Sequence, residues 1–356
     1  MNDTERLEAL VRVLPEWFRQ NARDLPWRRD RDPYRVWLSE IMLQQTRVEA
    51  VKGYYERFLA ALPDLRDLAE ADPEQLHKLW EGLGYYSRVR NLQKAARMIL
   101  DEHGGVFPAS VSEIRALPGV GDYTAGAVAS ICFDLPEPAV DGNVLRLLSR
   151  LRADGRCTDD GAVRKAVRRE LRAVYPDSGA GTLTQALMEL GATVCLPNGA
   201  PDCARCPAAA FCAARQAGRW QDYPVRAEKK MRRTEKKTVF LFSCGCALAI
   251  RKRKASGLLA GLWEFPNVEG FLEPQQALDL AAGLGLRPKN LIRQTERSHV
   301  FTHVRWEMRC YQIECGEKAV AFTWADGEAL DGRYALPTAF RMFREEQKSF
   351  LPTETN

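Results

Sequence analysis

Apolar and polar positions alternate with a spacing of three and four residues from Leu7 to about Arg215, which is the period of amphipathic helices. Prolines and glycines interrupt this pattern at short intervals, as expected for connections between helices. No segment in this range alternates convincingly with the period of a strand. The pattern therefore predicts an all-α first half.

The pattern changes after Thr238. Three segments rich in β-branched and aromatic residues are predicted to be strands: 238–250 (TVFLFSCGCALAI), 299–313 (HVFTHVRWEMRCYQI) and 320–326 (VAFTWAD). Residues 275–283 (QQALDLAAG) predict one short helix. We therefore expect a multidomain chain, with a helical domain over 1–225, a linker over 226–237 and an α+β domain over 238–350.

The linker holds seven basic and two acidic residues, so its charge of +5 equals the net charge of the whole chain. Such local charge allows a polyanionic partner, and a solvated spacer has the same pattern. The polar start, MNDTERLEAL, is no signal peptide, and the longest apolar run, 238–250, is too short to span a bilayer. We therefore expect a cytoplasmic monomer with no membrane partner.

Four of the ten cysteines lie close together with the spacing C-x7-C-x2-C-x5-C: Cys195, Cys203, Cys206 and Cys212. Cysteines in a chain with no secretion signal favour a metal over disulfides. Four clustered thiolates suit a metal centre, although the spacing is unlike the paired knuckles of a zinc ribbon. Zinc and unrelated structural cysteines remain alternatives, and the other six cysteines are predicted to be structural.

A sharp turn is predicted at Leu117-Pro118-Gly119-Val120-Gly121, between two helical segments. Such a turn directs the backbone N–H groups of Gly119, Val120 and Gly121 outward at a helix N-terminus, where they can bind an anion. On DNA that anion is a phosphate, and the contact carries no sequence information. A plain connection between two helices is an equal alternative.

Two carboxyl groups are candidates for chemistry. Glu40 lies in a helical stretch among mostly apolar neighbours, so burial should raise its pKa and suit it to act as a general acid. Asp141 lies before a new helix, where a helix cap is the favoured alternative. A neutral acid beside an ionised one is the pairing that hydrolyses glycosidic bonds. The N-glycosidic bond of a nucleoside presents the same chemical problem.

Three motifs in succession, LPGVGDYTAG (117–126), VDGNV (140–144) and the four-cysteine segment, resemble the helix–hairpin–helix DNA glycosylases with an iron–sulfur cluster. The segments WLSEIMLQQTRV (37–48), Pro26-Trp27-Arg28 and GLGYYSRVRNL (82–92) are similar to the MutY-type adenine DNA glycosylases, which remove adenine mispaired with 8-oxoguanine. The resemblance covers nearly the whole chain. It implies an all-α glycosylase domain with a [4Fe-4S] cluster on segment 195–212, followed by an α+β Nudix-like domain.

The resemblance also implies roles for individual residues. Glu40 would protonate adenine and later activate water, and Asp141 would stabilise or capture the cationic sugar. The carboxyl groups would be supported by Tyr123 and Asn143. The residues expected to line the adenine pocket are Trp27, Arg28 and Gln185. Those expected to wedge into the duplex or contact the opposite base are Gln45, Leu83 and Tyr85.

The second domain contains LAGLWEFP (259–266), which resembles the core of a Nudix-like domain. The following helix has one acid, Asp279, and lacks the glutamate pair that holds magnesium in Nudix hydrolases, so pyrophosphate hydrolysis is not expected. In the family this domain inspects 8-oxoguanine through a Phe-Ser-His loop, which Phe301, Thr302 and His303 match with one change. A plain strand is the alternative for these three residues.

Two further departures bear on function. The family spacing has six residues between the first two cysteines, and this chain has seven. Endonuclease III-type enzymes have a Schiff-base lysine where this chain has Tyr123, and a phenol forms no imine. The resemblance therefore implies a monofunctional enzyme acting on double-stranded DNA with an A:8-oxoguanine or A:G mispair. The alternatives are an endonuclease III-like lyase, a Nudix hydrolase and a redox-sensing DNA-binding protein.

Overall fold

A computed structural model of the chain describes residues 1–228 and 231–348. They form two compact units. The first unit combines residues 1–70 with 90–228, and the second combines residues 71–89 with the described residues after 230. Residues 71–89 belong to the helical half of the sequence. The division of the structure therefore does not follow the single boundary that the apolar pattern predicts.

The first half is helical, as predicted. Several helices begin at a capping side chain, such as Asn2, Asp72, Ser110 and Asp160, which accepts hydrogen bonds from the first-turn amides. The helices are α1 (Asp3–Asn21), α2 (Pro33–Leu43), α3 (Val48–Ala61), α4 (Leu65–Glu70), α5 (Pro73–Leu79), α6 (Ser87–Glu102), α7 (Val111–Ala116), α8 (Asp122–Phe133), α9 (Gly142–Arg152), α10 (Gly161–Arg172), α11 (Ala180–Thr193) and α12 (Ala213–Gln216). Short 3₁₀ turns lie at Pro26–Arg28, Ala209–Phe211 and Trp220–Asp222.

A core of the first unit lies between α1, α9, α10 and α11, whose leucines and valines recur at helical spacing. Close approach of α9 and α11 depends on Gly191. A Cβ added to Gly191 would lie 2.7 Å from the Cβ of Asn143, so a larger side chain would push the two helices apart. This contact places Asn143 firmly at the start of α9.

The second unit contains a seven-stranded sheet with the order β3-β2-β1-β6-β5, in which β4 also pairs with β1 and β7 with β2. Only the β1–β6 pairing is parallel among the described strands. The strands are β1 (Arg233–Cys244), β2 (Ala247–Lys252), β3 (Trp263–Glu264), β4 (Asn267–Glu269), β5 (Pro288–Val300), β6 (Val304–Cys315) and β7 (Thr323–Ala325), with helices α13 (Pro274–Gly283), α14 (Gly327–Gly332) and α15 (Thr338–Lys348).

Both faces of this sheet are covered. On β1, Val239 and Leu241 face a core shared with α14 and α15, whereas Phe240 and Phe242 face a core shared with α13. A strand buried on both faces has a continuous apolar run rather than an alternating one. This explains why the segment 238–250 was recognisable as strand, although it forms two strands rather than one, because β1 ends at Cys244 and β2 begins at Ala247.

Residues 71–89 contact the sheet region of the second unit directly. Glu74 accepts hydrogen bonds from Lys252 at 2.5 Å and from the indole of Trp263 at 2.7 Å. Glu81 accepts the Leu336 amide at 2.8 Å. These polar contacts explain why α5 belongs with the carboxy-terminal strands.

Three sequence predictions need correction or limits. The predicted strand 299–313 is two strands, because Phe301, Thr302 and His303 form the turn between β5 and β6. Strand β1 begins at Arg233, inside the predicted linker. Helix α13 confirms the helix predicted at 275–283. Residues 229–230 of the linker and 349–350 of the second domain lie outside the described residues, and the domain limits stay predictions.

Candidate active site

A cavity of about 550 Å³ lies within the first unit, between α2, α8, the start of α9 and α11. Eight of the predicted site residues line it: Trp27, Arg28, Glu40, Gln45, Tyr123, Asp141, Asn143 and Gln185. These residues come from five separate stretches of sequence, and the fold brings them together around one cavity.

Glu40 is buried in the wall of this cavity, with 5% of its surface exposed. The Tyr123 hydroxyl donates a hydrogen bond to its carboxylate at 2.5 Å. Burial raises the pKa of Glu40 to about 7, and the nearby Asp141 acts in the same direction, whereas the bond from Tyr123 and the charge of Arg28 oppose the shift. The carboxyl group is therefore poised to hold and release a proton near neutral pH.

Asp141 is both a helix cap and a cavity residue. Its side chain accepts the Val144 amide at 2.8 Å, as an N-cap of α9 does, and the Asn143 side-chain amide at 2.7 Å. Burial raises its pKa, and these two hydrogen bonds oppose the shift because they stabilise the ionised form. The helix cap is therefore confirmed, and the same carboxylate lines the cavity, so its functional role stays a prediction that the cap does not exclude.

Asn143 is held in turn by Arg146. The guanidinium donates at 2.8 Å to the Asn143 side-chain oxygen, and it also bonds the backbone carbonyls of Gly191 and Cys195, each at 2.8 Å. Arg146 is 4% exposed, so these bonds are shielded from water. The orientation of the Asn143 amide toward Asp141 is thus set by a rigid backbone.

Trp27, Arg28 and Gln185 form another part of the cavity wall. Trp27 is buried and meets the Tyr55 ring edge-on at a centroid distance of 5.5 Å. Gln45 is an exposed lining residue with a left-handed backbone, φ +59°. A planar wall, polar groups and an exposed amide suit a cavity that takes in a flat heterocycle.

Sequence reasoning missed Arg23 and Glu189, which also line the cavity. Glu189 has a fully buried side chain, and burial raises its pKa, but hydrogen bonds from Arg23 at 2.7 Å and Arg28 at 2.8 Å outweigh this and lower it to about 2. Glu189 lies four residues after Gln185 on α11, so the two share a helix face. That spacing was the available signal.

The predicted hairpin joins α7 to α8, with Gly119 in the left-handed region at φ +79°. A Cβ on Gly119 would lie 2.7 Å from that of Asn91, so glycine is needed for both reasons. The Val120 amide donates to the Leu117 carbonyl at 3.1 Å within the turn. Gly119 and Gly121 are the exposed positions of the hairpin, and they are better placed than Val120 to offer amides to an anion.

The four clustered cysteines line one small cavity of about 30 Å³: Cys195, Cys203, Cys206 and Cys212. The Asp202 amide donates to the Val194 carbonyl at 3.0 Å and closes the longer first loop, so the extra residue leaves Cys195 with the others. In the parts of the chain that the structure describes, no group of three or more His, Cys, Asp or Glu side chains is arranged to hold a metal ion. The thiol set and its shared cavity nevertheless fit a metal centre.

The remaining predicted residues lie in the second unit. Leu83 is 6% exposed, whereas Tyr85 is 47% exposed. The Tyr85 hydroxyl lies 2.7 Å from the Thr302 hydroxyl, so the Gly82–Tyr85 loop meets the β5–β6 turn. Phe301 packs edge-on against Trp306, and His303 is exposed. The structure thus groups Tyr85 with Phe301, Thr302 and His303 within the second unit.

Two carboxylates of the Nudix-like region bind other side chains of the same region. Asp279 accepts the Gln275 side-chain amide at 2.9 Å, and the buried Glu264 forms ion pairs with Arg251 and Arg253. Carboxylates committed in this way are poor ligands for a catalytic magnesium ion.

Comparison with known families agrees with this geometry. A family model for HhH-GPD superfamily base excision DNA repair proteins matches residues 38–173, and one for the NUDIX domain matches residues 238–346. The helical fold, the hairpin and the cavity therefore define a base excision DNA repair protein with an appended Nudix-type domain.

Curated relatives narrow the class. Adenine DNA glycosylase of Rattus norvegicus is 34% identical over 98% of this chain and 80% of its own length, and that of Homo sapiens is 36% identical over 87% and 68%. The chain belongs to the adenine DNA glycosylase family.

A solved structure also matches. A thermostable thymine-DNA glycosylase has a TM-score of 0.54 and 26% identity, and the match covers 60% of this chain and 98% of that one. The family and fold predictions and the assignment as a DNA N-glycosylase of base excision repair are confirmed. The substrate is accordingly DNA. No helix within the described ranges is long and apolar enough to cross a membrane.

Proposed function

We propose that this enzyme excises adenine mispaired with 8-oxoguanine or guanine in duplex DNA, and that it does so by hydrolysis without cutting the strand. The observation that carries the proposal is the convergence of Glu40, Tyr123 and Asp141 on one cavity. Two carboxyl groups with different hydrogen-bond partners can divide acid and ion-stabilising roles between them.

Glu40, protonated near neutral pH, donates a proton to N7 of the flipped adenine and so improves the leaving group. Asp141 stabilises the positive charge that develops on the sugar as the bond breaks. Glu40, now ionised, activates the attacking water. Tyr123 orients the Glu40 carboxyl group, and Asn143 orients that of Asp141. Trp27, Arg28 and Gln185 hold the adenine ring.

Hydrolysis rather than strand cutting follows from Tyr123. A phenol hydrogen-bonded to Glu40 forms no imine with the sugar, whereas a lysine at this position would. The endonuclease III-like alternative therefore lacks its nucleophile here. Borohydride should trap no enzyme–DNA adduct, and efficient trapping would overturn the monofunctional assignment.

Recognition of the opposite base falls to residues in loops and turns. Gln45, Leu83 and Tyr85 contact the duplex where the adenine leaves it, and Phe301, Thr302 and His303 inspect the 8-oxoguanine. Thr302 keeps the hydroxyl of serine and adds a methyl group, so its hydrogen bonding is retained. Amides at Gly119 and Gly121, with Val120 between them, bind a phosphate of the backbone.

The four cysteines Cys195, Cys203, Cys206 and Cys212 would hold a [4Fe-4S] cluster. These thiolates would tie the segment 195–212 to the end of α11 through the cluster, which would stabilise the fold of this segment. We expect about four irons per chain in purified protein. Cys203→Ser should lose iron and fold poorly. Cys246→Ser, which changes an exposed thiol of the β1–β2 turn, should keep its iron and its fold. Stoichiometric zinc without iron would contradict the assignment.

The function is tested with a duplex containing one adenine opposite 8-oxoguanine. Free adenine and an intact abasic strand should form, and breaks should appear only after alkali. Release of no adenine, or breaks without alkali, would contradict the proposal. We further propose that the enzyme is a monomer and that it acts in the cytoplasm on nucleoid DNA. Gel filtration would check the oligomeric state, and microscopy would check the location.

A further inference from the structure

The Gly82–Tyr85 loop has an unusual backbone. Gly82 and Gly84 adopt φ values of +102° and +70°, and Tyr85 follows at +47°. The left-handed region is unfavourable for a residue with a Cβ, so Tyr85 stays there only if its surroundings hold it. Its ring is nevertheless 47% exposed, so its support comes from atoms beneath the loop and from the Thr302 hydroxyl, which lies 2.7 Å from that of Tyr85.

Arg88 supplies much of that support. One guanidinium nitrogen donates to the Leu83 carbonyl at 2.8 Å and to the Gly84 carbonyl at 3.1 Å. The Arg88 guanidinium carbon lies 5.2 Å from the Trp80 ring centroid and 5.7 Å from that of Tyr85. The Trp80 indole also donates to Gly84 at 3.0 Å. Two consecutive peptide planes of the loop are therefore fixed by side chains below it.

The position of Arg88 is not explained by helix stability. It lies in the first turn of α6, where a positive charge opposes the helix dipole. It is also 8% exposed, and burial lowers its pKa to about 10, which still leaves it charged at neutral pH. A buried cation at a helix start is unfavourable in both respects, and its bonds to the Leu83 and Gly84 carbonyls offset part of that cost.

We propose that Arg88 is a positioning residue that holds the Gly82–Tyr85 loop with the Tyr85 ring presented to the duplex, and that it thereby assists extrusion of the adenine rather than bond cleavage. The inference rests on the proposed function of Tyr85. A side chain that fills the gap left by a flipped base recovers part of the unstacking energy. The Tyr85 ring can do so only if its position is fixed before the base leaves the stack.

The test uses the full-length enzyme and two duplexes, one with adenine and one with 2-aminopurine, a fluorescent adenine analogue, opposite 8-oxoguanine. Arg88→Met should reduce the fluorescence gain on binding and slow single-turnover adenine excision by about ten- to a hundredfold, the scale of losing one or two charged hydrogen bonds. The fluorescence gain and the excision rate of Arg88→Lys should lie between those of the native enzyme and Arg88→Met, because lysine keeps the positive charge but lacks the planar guanidinium group. Affinity for undamaged duplex should change by less than about threefold, since Arg88 contacts no phosphate in this scheme.

Arg97 provides a matched control, because it lies on the same helix and its guanidinium bonds the Ala69 carbonyl at 2.8 Å, away from the loop. Arg97→Met should lose less stability, because Arg97 is exposed, and it should keep the fluorescence gain and the excision rate. In a Tyr85→Ala background, Arg88→Met should slow adenine excision little further, because both substitutions impair the same step.

Three results would overturn the role of Arg88: a full fluorescence gain in folded Arg88→Met, equal slowing by Arg97→Met, or additive effects with Tyr85→Ala. A native enzyme that leaves adenine opposite 8-oxoguanine intact would instead refute the proposed function.

Discussion

The cavity of the first unit and the loops of the second unit handle their functional side chains in opposite ways. Glu40 and Asp141 are held on helices by buried hydrogen bonds, and burial raises the pKa of each. Tyr85, Thr302 and His303 are exposed and lie in loops or turns. Acid–base chemistry requires groups shielded from water, whereas recognition of a duplex requires groups that reach it. The two tasks therefore impose conflicting environments and are assigned to different parts of the chain.

The largest expected effect tests the cavity. Asp141→Asn and Glu40→Gln should each slow adenine excision at least ~100-fold in single-turnover assays, while binding to the mismatched duplex persists. Asp160→Asn is a matched control, because Asp160 caps α10 through the Ala162 amide at 2.8 Å. A near-native rate in Asp141→Asn would show that Asp141 acts only as a cap.

The second prediction tests the β5–β6 turn. His303→Ala and Phe301→Ala should lower the preference for 8-oxoguanine over guanine opposite the adenine by about ten- to a hundredfold, the worth of one or two polar contacts. The rate with saturating A:G substrate should change little. Gln294→Ala, at an exposed position on β5, is the control. Retention of the full preference would move recognition to Gln45 and Tyr85.

Point variants are a cleaner test of this turn than removal of the second half of the chain. A protein ending near Arg226 would still contain residues 71–89, whose Glu74 and Glu81 would lose their partners Lys252, Trp263 and Leu336. We expect such a protein to excise adenine with reduced preference. Its stability would have to be measured beside its activity, because both change together.

The smallest expected effect concerns pH. Excision should slow as pH rises above about 7, because Glu40 loses its proton there. The folded pKa exceeds the ordinary value of 4.5, so the contribution of Glu40 to stability is fully present below pH 4.5 and is lost as pH rises to about 7.

The same pKa shift sets a stability test. Glu40→Gln should therefore stabilise the protein at pH 8 by up to about 3 kcal/mol and much less at pH 5, as measured by urea unfolding. If the difference in unfolding free energy between Glu40→Gln and the native protein does not vary with pH, the raised pKa does not belong to Glu40.

The helical half, the two-sided strand β1 and the hairpin were predictable because each is encoded in a short local pattern. The edge strand β5 was mostly missed, since its charged sequence KNLIRQTERSH faces solvent and lacks an apolar period. Glu189 was missed for another reason. Its meaning depends on Arg23 and Arg28, more than 150 residues away in sequence, at separations of 166 and 161. Local patterns carry no record of such a partnership.

The left-handed backbones of Gln45 and Tyr85 have a consequence for protein engineering. Replacing a non-glycine residue by glycine in this region relieves about 1 kcal/mol of backbone strain, so strain alone would favour glycine at both positions. At Tyr85, glycine would also remove the ring that lies beside Arg88 and the hydroxyl that meets Thr302, and a glycine makes the unfolded chain more flexible. A stability screen alone would therefore be a poor guide to these two positions, because the strained side chains are the ones proposed to contact the duplex.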